Sequence, residues 1–91
     1  MTRPRLCRRL CFKPKAHYFK PQGIPMHQLK EIVLTKEEME AVKLKDFDGL
    51  EQTEAAEKMN TSQSTFQRIL TSARMNIAEA IVKGKALKIE D

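Results

Sequence analysis

The chain has 91 residues, 41 % of them apolar and 32 % charged, with no Trp and a net charge of +5. That is the composition of one small globular domain with a modest core. Its longest apolar runs, Ile32–Leu34 and Ala80–Val82, fall far below the roughly 18 residues of a membrane span, so no membrane partner is expected. The charge is unevenly placed. Residues 1–30 hold eight basic groups and no acid, whereas residues 31–91 hold nine basic and twelve acidic groups. A polyanionic partner is the usual reason for such asymmetry.

The basic N-terminus lacks the apolar segment of about 7–15 residues that a secretory signal requires, so the protein is expected in the cytoplasm. Cys7 and Cys11 are too few for a disulfide framework. If they lay on a strand, four residues would separate them by about 13 Å, beyond the roughly 7 Å limit for a disulfide, so reduced thiols are expected.

Residues 1–34 read as an extended basic arm, broken by Pro4, Pro14, Pro21, Gly23 and Pro25. Within it Arg8–Phe12 alternates like a short strand, Tyr18-Phe19 is an apolar anchor, and Glu31–Leu34 is a short strand or extended lead-in. Helical grammar starts at Thr35. Thr35 and Glu38 fit a capping box, Leu34 and Met39 fit a hydrophobic staple, and Glu37 and Glu38 suit the positive end of the dipole. Met39, Val42 and Phe47 form an incomplete apolar stripe, and Gly49 ends this first helix. A second helix over about Gln52–Met59 buries Ala55, Ala56 and Met59, the small alanines allowing another helix to approach closely. Asn60-Thr61-Ser62 is a turn in which Asn60 can take left-handed geometry and Ser62 or Thr61 caps the next helix.

The third helix, about Gln63–Lys83, carries the clearest pattern. Phe66, Ile69, Leu70, Ala73, Ile77, Ala80 and Ile81 share one face, and Gly84 is the stop. The tail, residues 85–91, alternates and can add a strand beside the N-terminal ones. The expected architecture is therefore mainly α: a three-helix domain over residues 35–84 with an extended basic arm and short terminal strands.

A short helix with an alanine pair, a tight turn and a longer capped helix is the layout of a helix-turn-helix, whose second helix enters the major groove. Opposite Phe66 lie Ser64, Gln67, Arg68 and Thr71. These are expected base contacts, since Arg can bridge guanine O6 and N7 and Gln can pair with adenine N6 and N7. Gln63 and Thr65 in the first turn, with Arg3, Arg5, Arg8 and Arg9 of the arm, are expected phosphate contacts. The arm must then fold back near the recognition helix. Beyond Arg68 the same face turns apolar at Met75, Ala78 and Val82, which calls for a cover: the chain's own N-terminal strand and C-terminal tail, or, as the favoured expectation, a second copy in a homodimer.

The segments Leu34–Val42, Gln52–Met59 and Ser62–Leu70 resemble region 4 of sigma-70-type factors. The whole chain more closely resembles the small prokaryotic domain-of-unknown-function family 134, through Arg3-Pro4-Arg5, Arg8-Arg9, the stretch Phe19–Pro25 and Gly84–Leu87. The resemblance implies a DNA-binding protein with a sigma-like helix-turn-helix, and hence a transcriptional regulator on duplex DNA. Two other roles compete: a module that contacts RNA polymerase, and an RNA-binding protein stacking bases on Tyr18 and Phe19. Cys7, Cys11, His17 and His27 are weak zinc candidates without a CxxC knuckle, so no metal or cofactor is expected. Glu37, Glu38 and Glu40 are explained by capping and solvation, and no pattern of nucleophile, base and acid suggests an enzyme.

Overall fold

The computed structural model describes residues 13–90. Three helices and a small three-stranded sheet follow one another as β1 (Tyr18–Phe19), a 3-10 turn (Met26–Gln28), β2 (Glu31–Leu34), α1 (Lys36–Val42), α2 (Gln52–Lys58), α3 (Gln63–Lys83) and β3 (Ala86–Ile89). Thr35 caps α1 as its sequence requires: its side chain accepts from the Glu38 amide, while Glu38 accepts from the Thr35 amide at 2.9 Å. The helix then widens into a π turn over Lys43–Phe47. That extra residue in the turn seats Leu44 in the core and throws Phe47 outward, where it is 83 % exposed. Phe47 therefore does not continue the buried stripe expected of it; Ala41 and Leu44 do.

Asn60 adopts φ 57° after α2, and Ser62 caps α3 by accepting from the Thr65 amide. At the other end Gly84 takes φ 67°, and its amide donates to the Ala80 carbonyl. This left-handed residue reverses the chain, so β3 runs back along α3. It enters the middle of the sheet, antiparallel to β1 and parallel to β2. The partners of the C-terminal strand are thus Tyr18–Phe19 and Glu31–Leu34. The strand expected over Arg8–Phe12 lies outside the described residues.

Two apolar clusters sit along α3. Around its first half, Phe66 and Leu70 meet Ala41, Leu44, Ala55, Ala56 and Met59. Around its middle, Ala73 meets Leu34 and Ile89, with Met39, Ile77 and Leu87 at the edge. Leu34 and Met39 share this second cluster, as a hydrophobic staple demands. Ile81, expected on the same face, is 76 % exposed. The sheet covers the flank of α3 that carries Ala80 and leaves the flank of Ile81 open.

Glu38 and Glu40 are buried, at 8 % and 5 % exposure, so solvation does not account for them. The Glu38 carboxylate accepts from the Ser72 hydroxyl and from Asn76 Nδ2 at 3.2 Å, in addition to the Thr35 amide. A single side chain thereby caps α1 and fastens it to the middle of α3. On the outer rim Arg74 makes a two-pronged ion pair with Asp46 of the π turn, at 2.6 and 3.1 Å.

Candidate nucleic-acid interface

The first two turns of α3 emerge from a close helix contact. Ala55 and Ala56 of α2 are fully buried against it and leave no side chain to hold the helices apart. Phe66 and Leu70 face that contact, so the opposite side of α3 is turned outward. Ser64, Gln67, Arg68 and Thr71 are all exposed there. Gln67, Arg68 and Thr71 line a shallow groove of about 470 Å³ together with Ser72, Met75 and Asn76.

Internal hydrogen bonds partly commit these side chains. Gln67 Nε2 donates to Thr71 Oγ1 at 3.1 Å, which fixes the amide along the helix and leaves its carbonyl oxygen free to accept. Arg68 is exposed, and no ion pair involving it is found among the described residues. Ser62 Oγ contacts both Ser64 Oγ at 3.3 Å and Thr65 Oγ1 at 3.0 Å. Thr65 is half-buried and its amide is already taken by the Ser62 cap, so its amide is not one of the free donors expected of it. Gln63 is exposed, and its carbonyl accepts from Gln52 Nε2 at 3.3 Å, which ties the start of α3 to the start of α2.

Ser72, Met75 and Asn76 join this groove in addition to the site residues expected from the sequence. They follow Arg68 by four, seven and eight positions, which is the helical signal that places them on its face.

Arg3, Arg5, Arg8 and Arg9, expected on phosphate, lie outside the described residues, as do Cys7 and Cys11. His17 and His27 are exposed, and no cluster of three metal-type ligands occurs among the described residues. Of the arm's described basic residues, Lys20 and Lys30 stand at the other end of α3. Lys30 lines a cleft with Lys83, Gly84 and Lys85, and Lys20 lines a second with Ile81, Gly84 and Lys85. Lys83 follows Arg68 by fifteen positions, about 22 Å along the helix. Lys20 and Lys30 therefore do not reach Arg68 and Thr71 of their own chain.

Tyr18 and Phe19 anchor that half. The Tyr18 hydroxyl donates to Glu31 Oε2 at 2.7 Å, and Phe19 lies beside Ile77 and Leu87. The hydrogen bond to the Glu31 carboxylate, reinforced by its charge, raises the phenol above its ordinary pKa of 10. Near the end of α3, Lys85 holds Glu79 below the usual carboxylate range through a 2.6 Å ion pair.

Three helices with a terminal sheet, and a polar outward face at the start of the longest helix, define a small mainly helical protein. The chain belongs to the family described as "Protein of unknown function DUF134", which it matches over residues 1–91. One relative is a UPF0251 protein of Desulforudis audaxviator, 53 % identical over 99 % of this chain and 59 % of the relative. Another, from Dehalococcoides mccartyi, is 57 % identical over 99 % of this chain and 77 % of the relative. A third, from Moorella thermoacetica, is 51 % identical over 99 % of this chain and 60 % of the relative. The chain thus spans about three-fifths of the length of the first and third of these. No solved structure matches it. No helix among the described residues is long and apolar enough to cross a membrane.

Proposed function

We propose that the protein is a cytoplasmic, sequence-specific duplex-DNA-binding regulator, with α2 and α3 acting as a helix-turn-helix like that of sigma-70 region 4. The observation that carries this reading is the outward row Ser64, Gln67, Arg68 and Thr71 at the start of a helix held by the buried alanines of α2. A helix braced from behind by a short partner can enter a major groove with its first turns leading. Arg68 carries the charge and reach for a guanine, Gln67 keeps an acceptor for an exocyclic amine, and the Thr71 methyl can meet thymine. The arginines of the arm supply the sequence-independent attraction to phosphate.

The test is selection of bound fragments from random duplexes, followed by salt-titrated binding to the selected site, to single strands and to RNA. Arg68→Ala is expected to lose about 1–3 kcal/mol of discrimination at one base pair. Replacing Arg8 and Arg9 by glutamine is expected to weaken binding to all sequences and flatten the salt dependence. Equal losses on every sequence from both changes refute this division of labour, and absence of duplex binding refutes the function.

A further inference from the structure

We propose that the end of the molecule where β1, α3 and β3 meet binds a small organic phosphate. Its apolar body lies against Phe19 and Ile81, and its phosphate sits among Lys30, Lys83 and Lys85. The site involves no DNA and stands whether or not the proposed function does.

Two clefts adjoin at the end of α3. One, of about 380 Å³, is walled by Phe19, Pro21, Ile77, Ile81 and Leu87. The other, of about 510 Å³, has Gln28, Lys30, Lys83 and Lys85 on its walls. Gly84 and Lys85 belong to both, so the apolar and the cationic walls form one continuous surface. Each volume falls in the range of small-molecule sites. The stretches Phe19–Pro25 and Gly84–Leu87, distant in the chain, are brought together here. The left-handed turn at Gly84 joins them closely, since a Cβ there would stand 3.5 Å from Ile24 Cδ1.

Phe19 is 52 % exposed and Ile81 76 %, and the two face one cleft from different elements. Their exposed apolar surface is thus shared and concave rather than scattered, the form that marks a ligand groove. Charge defines the occupant. Lys20, Lys30 and Lys83 are exposed, and none of them is in an ion pair among the described residues. Neither cleft has a carboxylate among its described lining residues. Glu31, beside Lys30 in the chain, is engaged by the Tyr18 hydroxyl.

Lys83 and Lys85 also complement the negative end of α3. Lys20 and Lys30 belong to no helix, so the dipole does not account for them. Glu79 pairs with Lys85 at 2.6 Å and fixes that ammonium at the boundary between the clefts. Several ammonium groups converging on one cleft favour a doubly charged head over a singly charged one. Because these cations line clefts rather than a ridge, they suit a phosphate on a compact molecule better than a bilayer or a duplex.

Hexyl phosphate is the probe, with inorganic phosphate as the head alone and hexanol as the body alone. The chain has three glycines: Gly23 and Gly84 border the site, whereas Gly49 lines neither cleft. In glycine-labelled protein, nitrogen–proton correlation spectra are expected to show the Gly23 and Gly84 signals moving with hexyl phosphate, and Gly49 staying in place. The expected Kd is on the order of 0.1–1 mM. Inorganic phosphate and hexanol are each expected to bind at least roughly tenfold more weakly. Combining Lys30→Gln with Lys83→Gln is expected to weaken hexyl phosphate by roughly tenfold, with helix content unchanged. Ile81→Ser is expected to weaken it several-fold, and Lys36→Gln on α1 not at all. Absence of shifts at millimolar concentration, equal movement of Gly49, or equal binding of inorganic phosphate or hexanol overturns the proposal. Indifference to the paired lysine substitutions overturns it too. Anionic vesicles or duplex DNA that move the Gly23 and Gly84 signals where hexyl phosphate does not make a bilayer or a nucleic-acid backbone the occupant, and likewise overturn it.

Discussion

Replacing Glu38 by alanine tests whether one buried carboxylate holds the first helix to the third. The substitution removes three accepted hydrogen bonds, from the Thr35 amide, the Ser72 hydroxyl and the Asn76 amide. Losing the reciprocal half of the capping box costs about 1 kcal/mol. Each of the two side-chain bonds contributes about 0.5–1.5 kcal/mol net. Ser72 is exposed and Asn76 half-buried, so both donors can find water and the lower half of that range applies. Alanine's better helix propensity returns a few tenths of a kcal/mol. The expected destabilisation is about 2–3 kcal/mol, and in a domain this small that lowers Tm by roughly 10–20 °C. Urea unfolding followed by helix circular dichroism measures it, with Glu57→Ala on an exposed face of α2 as the control. A double-mutant cycle with Thr35→Ala isolates the capping share. If Glu38→Ala lies within about 0.5 kcal/mol of the native chain, below the net worth of even one of these bonds, the bracing role is refuted.

Tyr18 is the only tyrosine and Trp is absent, so near-ultraviolet phenolate absorbance reads this one group. Its titration midpoint is expected above 10, and Glu31→Gln should bring it back toward 10. Because the folded value is raised, this contribution to stability is complete below the unfolded pKa and is lost as pH rises through the folded one. Gly84→Ala places a side chain at φ 67° and is expected to cost about 1–2 kcal/mol in thermal unfolding, and an unchanged Tm would contradict the left-handed cap. The Arg74 guanidinium holds Asp46 below 3.8, chiefly through the hydrogen bond between them. That stability is present above the unfolded pKa and fades as pH falls through the lowered folded value. Both partners are more than a third exposed, so Arg74→Gln should flatten the acid limb of the stability curve by only a few tenths of a kcal/mol.

Local chemistry is the legible part of this fold. Thr35 with Glu38, Asn60, Ser62 and Gly84 each act within a few residues of themselves, so their roles can be read without knowing what packs where. The exposed row from Ser64 to Thr71 is legible because Phe66 and Leu70 mark its opposite side. Position along the third dimension is not. Ile81 fits the buried period as well as Ile77 does, but no element covers its flank. Phe47 sits eight residues from Met39, a helical interval, yet the π turn shifts the register, and nothing in Lys43–Phe47 announces a π turn. Glu38 reads from sequence only as a cap, because Ser72 and Asn76, more than thirty residues on, have no local reason to point at it. Tyr18 and Phe19 read as an anchor, although two residues are too few to display a strand's alternation.

The central strand of the sheet is β3, and it is made after every other described element. Until Ile89 exists, β1 and β2 have nothing between them, and Leu34 and Ala73 lack the third member of their cluster. The helices can form from contacts near in sequence, but the sheet must wait for a closure that joins residue 34 to residue 89. A chain without residues 86–91 therefore loses more than one strand: it is held at the stage before β1 and β2 are joined.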